Sequence, residues 1–358
     1  MKLHFPNSYA EIDLNSITKN LKQLRKRTGI KKILSVVKCN AYGHGAIEVA
    51  KRAEPDVDWF GVATVDEAIE LRLGGIKKPI LVFEVPSPRS AAAYQTHGLT
   101  ATLSDFPHFS TLMDGTKYHI HFDTGMNRLG FKPSQAGKVR KMAVANQRLI
   151  CSGIYSHYQT ADDPGSDFVN TQQEIFREIL KDFKEIPLVH MSNTGAAVHY
   201  NENNQFDMIR TGLAQLGYTA GRTQVDWLTP SLTWKSRIVQ TLAIEAGESV
   251  SYGQKWTAQK SGYIGTIPVG YGDGILRSLS NKLQVKIRGE FYPVVGNITM
   301  DYTMVDLGDV KIAVDEEVVL MGGEAWSAAE WAEAAGTNVH EILTALNGRM
   351  ARSYTDYS

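Results

Sequence analysis

Cysteine is scarce in this chain, with only Cys39 and Cys151 among 358 residues. Two thiols cannot build a disulfide framework, and their separation fits no metal-knuckle spacing. Neither a stapled secreted scaffold nor a metal site is expected, and a reducing cytoplasm is the default. Net charge is missing too. With 38 Lys+Arg against 38 Asp+Glu, no global field draws the chain to phosphate backbones or acidic membranes, so no nucleic-acid partner and no membrane is expected. No stretch approaches about 18 apolar residues. The opening MKLHFPNSYAEIDL has one Lys and no apolar run long enough for an export leader. Low-complexity tracts, like-charge blocks and Pro/Gly/Ser linkers are also lacking, which removes the disordered and fibrous classes. What remains is a globular chain, 43% hydrophobic, long enough for about two domains.

Its texture is alternation. Short β-branched or apolar runs occur at 33–38, 59–64, 79–85, 99–104, 118–123, 150–157, 187–192 and 206–210, each bounded by polar residues, Gly or Pro. Between several of them, 46–52, 65–73, 133–145 and 167–183 carry apolar residues at spacings of three and four, the mark of amphipathic helices. Eight strand-helix repeats predict a (β/α)₈ barrel over residues 1–230, with a doubly wound open sheet as the rival fold. From 231 to 358 the pattern changes to period two, at 232–244, 263–269, 283–288, 292–295, 302–305 and 317–320. This predicts a mostly antiparallel β domain, with helices at 328–335 and 340–346 packed on it.

In a parallel barrel the residues that do chemistry gather where strands end. Here the first strand ends in Lys38, followed by CNAYGHG; the fifth ends in DTGMNR, carrying Arg128. The sixth ends in Ser156-His157, the seventh in HMSNT at 190–194, and the eighth in Arg210-Thr211-Gly212. Lys38 closes an apolar run, where partial desolvation favours a neutral amine able to form a Schiff base. A lysine at a barrel end also snorkels to solvent, and position alone leaves both readings open. Tyr42 offers a hydroxyl, and Thr194 with the backbone of Gly212 and Leu213 would make an anion cradle after strands seven and eight. Taken singly, Thr194 also reads as a helix cap and Arg210 as the partner of a core carboxylate. In the second domain, Tyr252 in SVSYGQKW, Tyr271 and Asp273 in GYGDG, and Met300-Asp301 in GNITMD specify no chemistry by themselves.

At these residues the chain resembles the alanine racemase family. The likeness runs nearly the whole length through AEIDL, VVKCNAYGHG, DTGMNRLGF, SHYQTADD, HMSNTGAA, IRTGLAQLGY, VSYG, GTIPVGYGDG and VGNITMD, in the family's order. It implies a homodimeric cytoplasmic enzyme that uses pyridoxal 5'-phosphate to interconvert L- and D-alanine, supplying D-alanine for peptidoglycan. By the same resemblance Lys38 carries the cofactor and Tyr42, Thr194, Gly212 and Leu213 hold its phosphate. Arg210 faces the pyridine nitrogen, His157 packs by the ring, and Asn193 helps orient it. Arg128 lies near the ring oxygen and the substrate carboxylate, with Met300 and Tyr271 lining the substrate side. Racemisation needs a base on each face of the substrate, and the family's pair maps onto Lys38 on the D-side and Tyr252, reaching in from the partner subunit, on the L-side. His190, held by Arg210, would make the Tyr252 phenol more acidic, Asp301 would stand in a supporting position, and Asp162 and Arg277 would lie near the access channel.

One position departs from the pattern. Where many members carry a carbamylated lysine, two residues before the DTGM aspartate, this chain has His121. A neutral imidazole brings no negative charge, so Arg128 is expected to be held by a bound anion, a water or another side chain. The ending LNGRMARSY likewise departs from forms with a phosphate-binding tyrosine, and no ligand is assigned there. Serine or a broader set of amino acids remains an alternative substrate, since one small group in a pocket discriminates weakly. A non-catalytic pyridoxal-phosphate binder is the alternative from another class, although it would need neither the second domain nor Tyr252.

Overall fold

Strand β1 (Tyr9–Asp13) opens the computed structural model, which describes residues 7–29, 32–200, 205–220 and 225–356. The first six residues of the opening stretch read for a leader lie outside them. Two units follow from the packing. One comprises Ile17–Tyr42 and Ala46–Thr229; the other takes the chain through Ser16, Gly43–Gly45 and everything from Pro230 on.

The first unit is the barrel. Strands β2 (Lys32–Val36), β3 (Trp59–Val62), β4 (Ile80–Val82), β5 (Thr100–Leu103), β6 (Lys117–His121), β7 (Ile150–Tyr155), β8 (Val189–His190) and β9 (Met208–Thr211) are all parallel. They close with β9 on β2, where Leu34 faces Arg210. These are the eight strands the β-branched runs predict, and closure excludes the open sheet. The helices around them bury one stripe each; Phe168–Leu180 turns Val169, Gln172, Gln173, Phe176 and Ile179 inward, the three-and-four spacing of a half-buried helix. Thr64 and Glu67 form a capping box that starts the helix Val65–Leu73. Because the strands are parallel, their C-terminal ends share one rim.

The second unit holds a six-stranded and a three-stranded sheet. Its strands are β10 (Leu232–Arg237), β11 (Gln240–Ile244), β12 (Gly262–Ile267), β13 (Gln284–Ile287), β14 (Glu290–Pro293), β15 (Thr303–Gly308), β16 (Glu317–Met321) and β17 (Ala351–Thr355). The larger sheet runs β14-β13-β16-β10-β1-β17 and the smaller β11-β12-β15, antiparallel except where β1 meets β17. Two expectations change. Strand β1, placed with the barrel by sequence position, pairs Ala10 with Trp234 and with Arg352 instead. The single run expected over 232–244 is two strands in different sheets, parted at Ile238-Val239. Helices Ala328–Ala335 and Val339–Thr344 complete the unit. Among the described residues no helix is long and apolar enough to cross a membrane.

Candidate functional site

After β2 the backbone winds the wrong way. Cys39, Asn40, Ala41 and Tyr42 all have φ between 50 and 54°, a left-handed turn that costs L-residues roughly 1–2 kcal/mol each. Side chains hold it. Glu67 accepts the Cys39 N–H at 2.6 Å and Asn40 Oδ1 the Ala46 N–H at 2.8 Å, while the Ala41 N–H reaches Val37 O at 2.9 Å. The turn leaves Lys38 half-buried at the rim, near enough to His157 for its charge to weigh on that ring. It also directs the Tyr42 hydroxyl across the rim to β9, where a Cβ on Gly212 would lie 2.3 Å from Tyr42 Oη. The Gly212 N–H in turn donates to Thr194 Oγ1 at 3.3 Å. A phenol, a hydroxyl and the backbone N–H of Gly212 thus meet, a donor set suited to a phosphate.

Asn193, expected to orient a cofactor, caps the helix Thr194–His199: its Oδ1 accepts the Ala196 N–H at 3.0 Å and its Nδ2 donates to Tyr158 O at 3.2 Å. Thr194 is therefore the first helical residue and its hydroxyl stays available to the cradle. Asp162 packs under the same helix, where a Cβ on Gly195 would meet its Oδ1 at 2.3 Å. Burial raises its pKa and His199 pulls it partly back.

Arg210 is the centre of the barrel mouth, 3% exposed. Its Nη1 donates to His190 Nδ1 at 2.8 Å; Nη2 serves Ser156 O at 2.9 Å, Met191 O at 2.8 Å and His157 Nδ1 at 3.0 Å. Among the described residues it has no ion-pair partner, and its Nε donates to none of them. The reading of Arg210 as partner to a core carboxylate is therefore excluded. Desolvation lowers its pKa to about 10, so the guanidinium stays charged at neutral pH. Because a guanidinium only donates, both imidazoles receive it on Nδ1. Burial and then Arg210 hold both rings well below the usual histidine range, hence neutral. One expectation is corrected here. His190 is fully buried, with one ring nitrogen on Arg210 and the other 2.9 Å from His119 Nδ1, so neither is left for a tyrosine hydroxyl. His157, the other ring held by Arg210, is the one whose Nε2 has no hydrogen-bond partner among the described residues.

The stretch after β6 is knotted by Asp123. Its carboxylate accepts the N–H groups of Gly125 and Asn127 at 3.0 and 2.9 Å, and Lys132 Nζ at 2.6 Å. Burial pushes its pKa up, but these partners more than offset it. Arg128, carried on this loop, is exposed and has no hydrogen-bond or ion-pair partner among the described residues. No side chain therefore holds it, which removes one of the three anchors expected. His121 lies flat on Tyr155, ring centroids 4.3 Å apart and planes 3° off parallel, with its Nδ1 buried and without a hydrogen-bond partner among the described residues. Burial and then Arg210 lower its pKa to about 3, so a neutral ring stands where the family pattern would put a negative charge. Tyr155 stacks on His190 with its other face and donates to Thr102 Oγ1 at 3.1 Å.

In the second unit Tyr252 stands on a turn and is 75% exposed. It borders an open depression with Ser251, Tyr271, Met300, Asp301 and Tyr302. The GYGDG loop is clipped to the 299–301 loop, since the Tyr271 N–H donates to Thr299 O and the Gly272 N–H to Met300 O, each at 2.9 Å. Arg349 ties the two loops, 3.2 Å from Asp273 and 2.9 Å from Asp301. Arg277 lies on an exposed turn of this unit, with Ser280 Oγ donating to its carbonyl. Tyr354, left unassigned by sequence, packs its hydroxyl on Gly45, where a Cβ would overlap it. A tyrosine closing a short alternating run was the available signal.

Residues 12–220 match the family description "Alanine racemase, N-terminal domain" and residues 231–354 match "Alanine racemase, C-terminal domain". The alanine racemase of Symbiobacterium thermophilum is 37% identical over 97% of this chain and 97% of its own length; that of Cutibacterium acnes is 36% identical over 96% and 97%. Among solved structures, alanine racemase from E. faecalis gives a TM-score of 0.93 at 29% identity, covering 99% of this chain and 100% of that one. The enzyme from D-cycloserine-producing Streptomyces lavendulae gives 0.92 at 30%, covering 99% of both.

Proposed function

The chain belongs to the alanine racemase family and is an isomerase of alanine, and from that premise we propose that it moves the α-proton with two bases, Lys38 and the Tyr252 of the partner subunit, around a pyridoxal 5'-phosphate held at the barrel mouth. The observation that carries this reading is Arg210: a buried cation whose partners among the described residues are all neutral acceptors and whose Nε–H donates to none of them. The cradle of Tyr42, Thr194, Gly212 and Leu213 would take the phosphate, Lys38 would carry the cofactor, and Arg210 would face the ring nitrogen. When bound, pyridoxal phosphate supplies the electron withdrawal that makes the α-proton of an amino acid removable.

Because Arg210 keeps its own proton, it would offer the ring nitrogen a hydrogen bond and no transferable acid. That would restrain electron withdrawal and favour racemisation over amino transfer. Arg128, without a hydrogen-bond or ion-pair partner among the described residues, would bind the substrate carboxylate, and Tyr271 and Met300, which border the same depression as Tyr252, would bound that side with it from the partner subunit. From L-alanine the Tyr252 phenolate oxygen removes the α-proton, and Lys38 Nζ returns a proton to the opposite face; from D-alanine the roles reverse. A phenol with an ordinary pKa of about 10 needs help to act as a base, and a neutral His157 donating from Nε2 stabilises the phenolate. Exposure of Tyr252 on its own unit is what a residue supplied to a second copy requires, which supports a homodimer with shared sites. On this reading the enzyme works in the cytoplasm and supplies D-alanine for peptidoglycan.

The test is proton NMR of the cofactor-loaded protein with L-alanine in heavy water, followed by chiral separation. D-alanine bearing α-deuterium is expected. An α-proton that stays in place while cofactor is bound contradicts the proposal, and equal turnover of serine would widen the substrate.

A further inference from the structure

His119 has no part in the function proposed above, yet it terminates the network that holds Arg210. The ring is wholly buried within β6, 5.1 Å from Trp59 between centroids. It sits where a Cβ on Gly153 would meet Nε2 at 2.7 Å, so β7 carries no side chain opposite it. Its Nδ1 stands 2.9 Å from His190 Nε2, and its own Nε2 is buried without a partner among the described residues.

Proton positions along this row follow in one direction. Arg210 can only donate, so His190 Nδ1 accepts and His190 Nε2 carries the hydrogen. That hydrogen goes to His119 Nδ1, and His119 must then carry its proton on the orphaned Nε2. Burial holds both rings neutral. A buried N–H with no acceptor is unfavourable and normally avoided. It persists here because the alternative tautomer of His119 would turn a donor toward the His190 N–H.

We propose that His119 is a positioning residue for the racemisation: by accepting the His190 N–H it locks His190 in the one tautomer that receives Arg210, and so sets the aim of the guanidinium. The functional consequence rests on the reading above; the tautomer does not. Without this acceptor, His190 either keeps a buried, unsatisfied N–H or moves its proton to Nδ1, where it opposes Arg210 and displaces it. A displaced Arg210 no longer restrains electron withdrawal at the ring nitrogen, so amino transfer gains on racemisation.

Two variants separate the roles. His119→Phe keeps a ring against Trp59 and removes the acceptor; His119→Asn keeps an acceptor at the Nδ1 position. The readouts are long-range ¹H–¹⁵N correlation of the full-length protein labelled at histidine, and the ratio of pyruvate released, its amino group left on the cofactor, to enantiomer formed. Wild type and the Asn variant should show His190 protonated on Nε2 alone, with closely similar ratios. The Phe variant should show protonation at Nδ1 and a ratio raised about tenfold or more, the scale of one lost buried hydrogen bond. A Phe variant with wild-type spectrum and ratio, changed only in melting temperature, overturns the proposal, as does a wild-type His190 protonated on Nδ1, which is read even if the Phe variant does not fold. If the wild type fails to racemise alanine, the function proposed above falls and the nitrogen spectrum alone decides the role of His119.

Discussion

Arg210→Lys keeps one positive charge and removes the fork that serves His190, His157, Ser156 and Met191 together. An ammonium on a flexible stem cannot span those acceptors, so the variant is expected to lose about 2–4 kcal/mol of stability, since charged hydrogen bonds contribute about 1.5–3 kcal/mol each. Racemisation should fall by about a hundredfold, and paired denaturation and turnover measurements check both. The imidazoles around Arg210 set a pH dependence whose sign is fixed. His119 and His121 are lowered to about 3 by burial first and Arg210 second, against about 6.5 in an unfolded chain. Between those values the unfolded chain binds protons that the folded barrel refuses. Stability is therefore full above about pH 6.5 and is lost as pH falls toward 3. At pH 5 each ring accounts for about 2 kcal/mol, and a melting temperature that stays flat from pH 7.5 to 5 would contradict this assignment.

At the scale of elements, the cradle depends on two backbone features: the left-handed turn that sends Tyr42 across the rim, and Gly212, which leaves space for it. Gly212→Ala puts a methyl group 2.3 Å from Tyr42 Oη. Overpacking of this kind costs about 1–3 kcal/mol, and cofactor affinity should drop about tenfold or more while the barrel still folds. Absorbance titration with pyridoxal phosphate measures it; unchanged affinity would remove the cradle from that role. Such features were unevenly legible. The eight barrel strands could be read because Ile33-Leu34, Ile80-Leu81-Val82 and their counterparts are short apolar runs between polar breaks. The pairing of β1 with β17 could not, since Tyr9 and Ala351 are brought together by the tertiary fold alone. Nothing in Cys39-Asn40-Ala41-Tyr42 announces four left-handed residues; Glu67 and Asn40 impose them through side-chain bonds. Motif residues located the rim, but which imidazole is spent and which is free follows from His119, which in KYHIH reads as an ordinary strand residue.

At the scale of the whole molecule, the proposed racemisation requires Lys38 of one protomer to work with the Tyr252 of its partner. The exposed setting of Tyr252, beside loops that Arg349 clips together, suits a residue offered outward to a second copy. Removing the phenolic oxygen with Tyr252→Phe should leave cofactor binding intact and reduce turnover of L-alanine by about 10²–10⁴, the range of a lost general base. The measurement that tests the central claim most directly is complementation between dead subunits. Lys38→Ala and Tyr252→Phe chains carrying different tags are co-expressed, and the mixed dimers are purified and loaded with cofactor. In a two-fold dimer with shared sites, one of the two sites then regains both bases, so mixed dimers should show about half the wild-type activity. Mixed dimers as inactive as either parent would contradict a site built from both subunits.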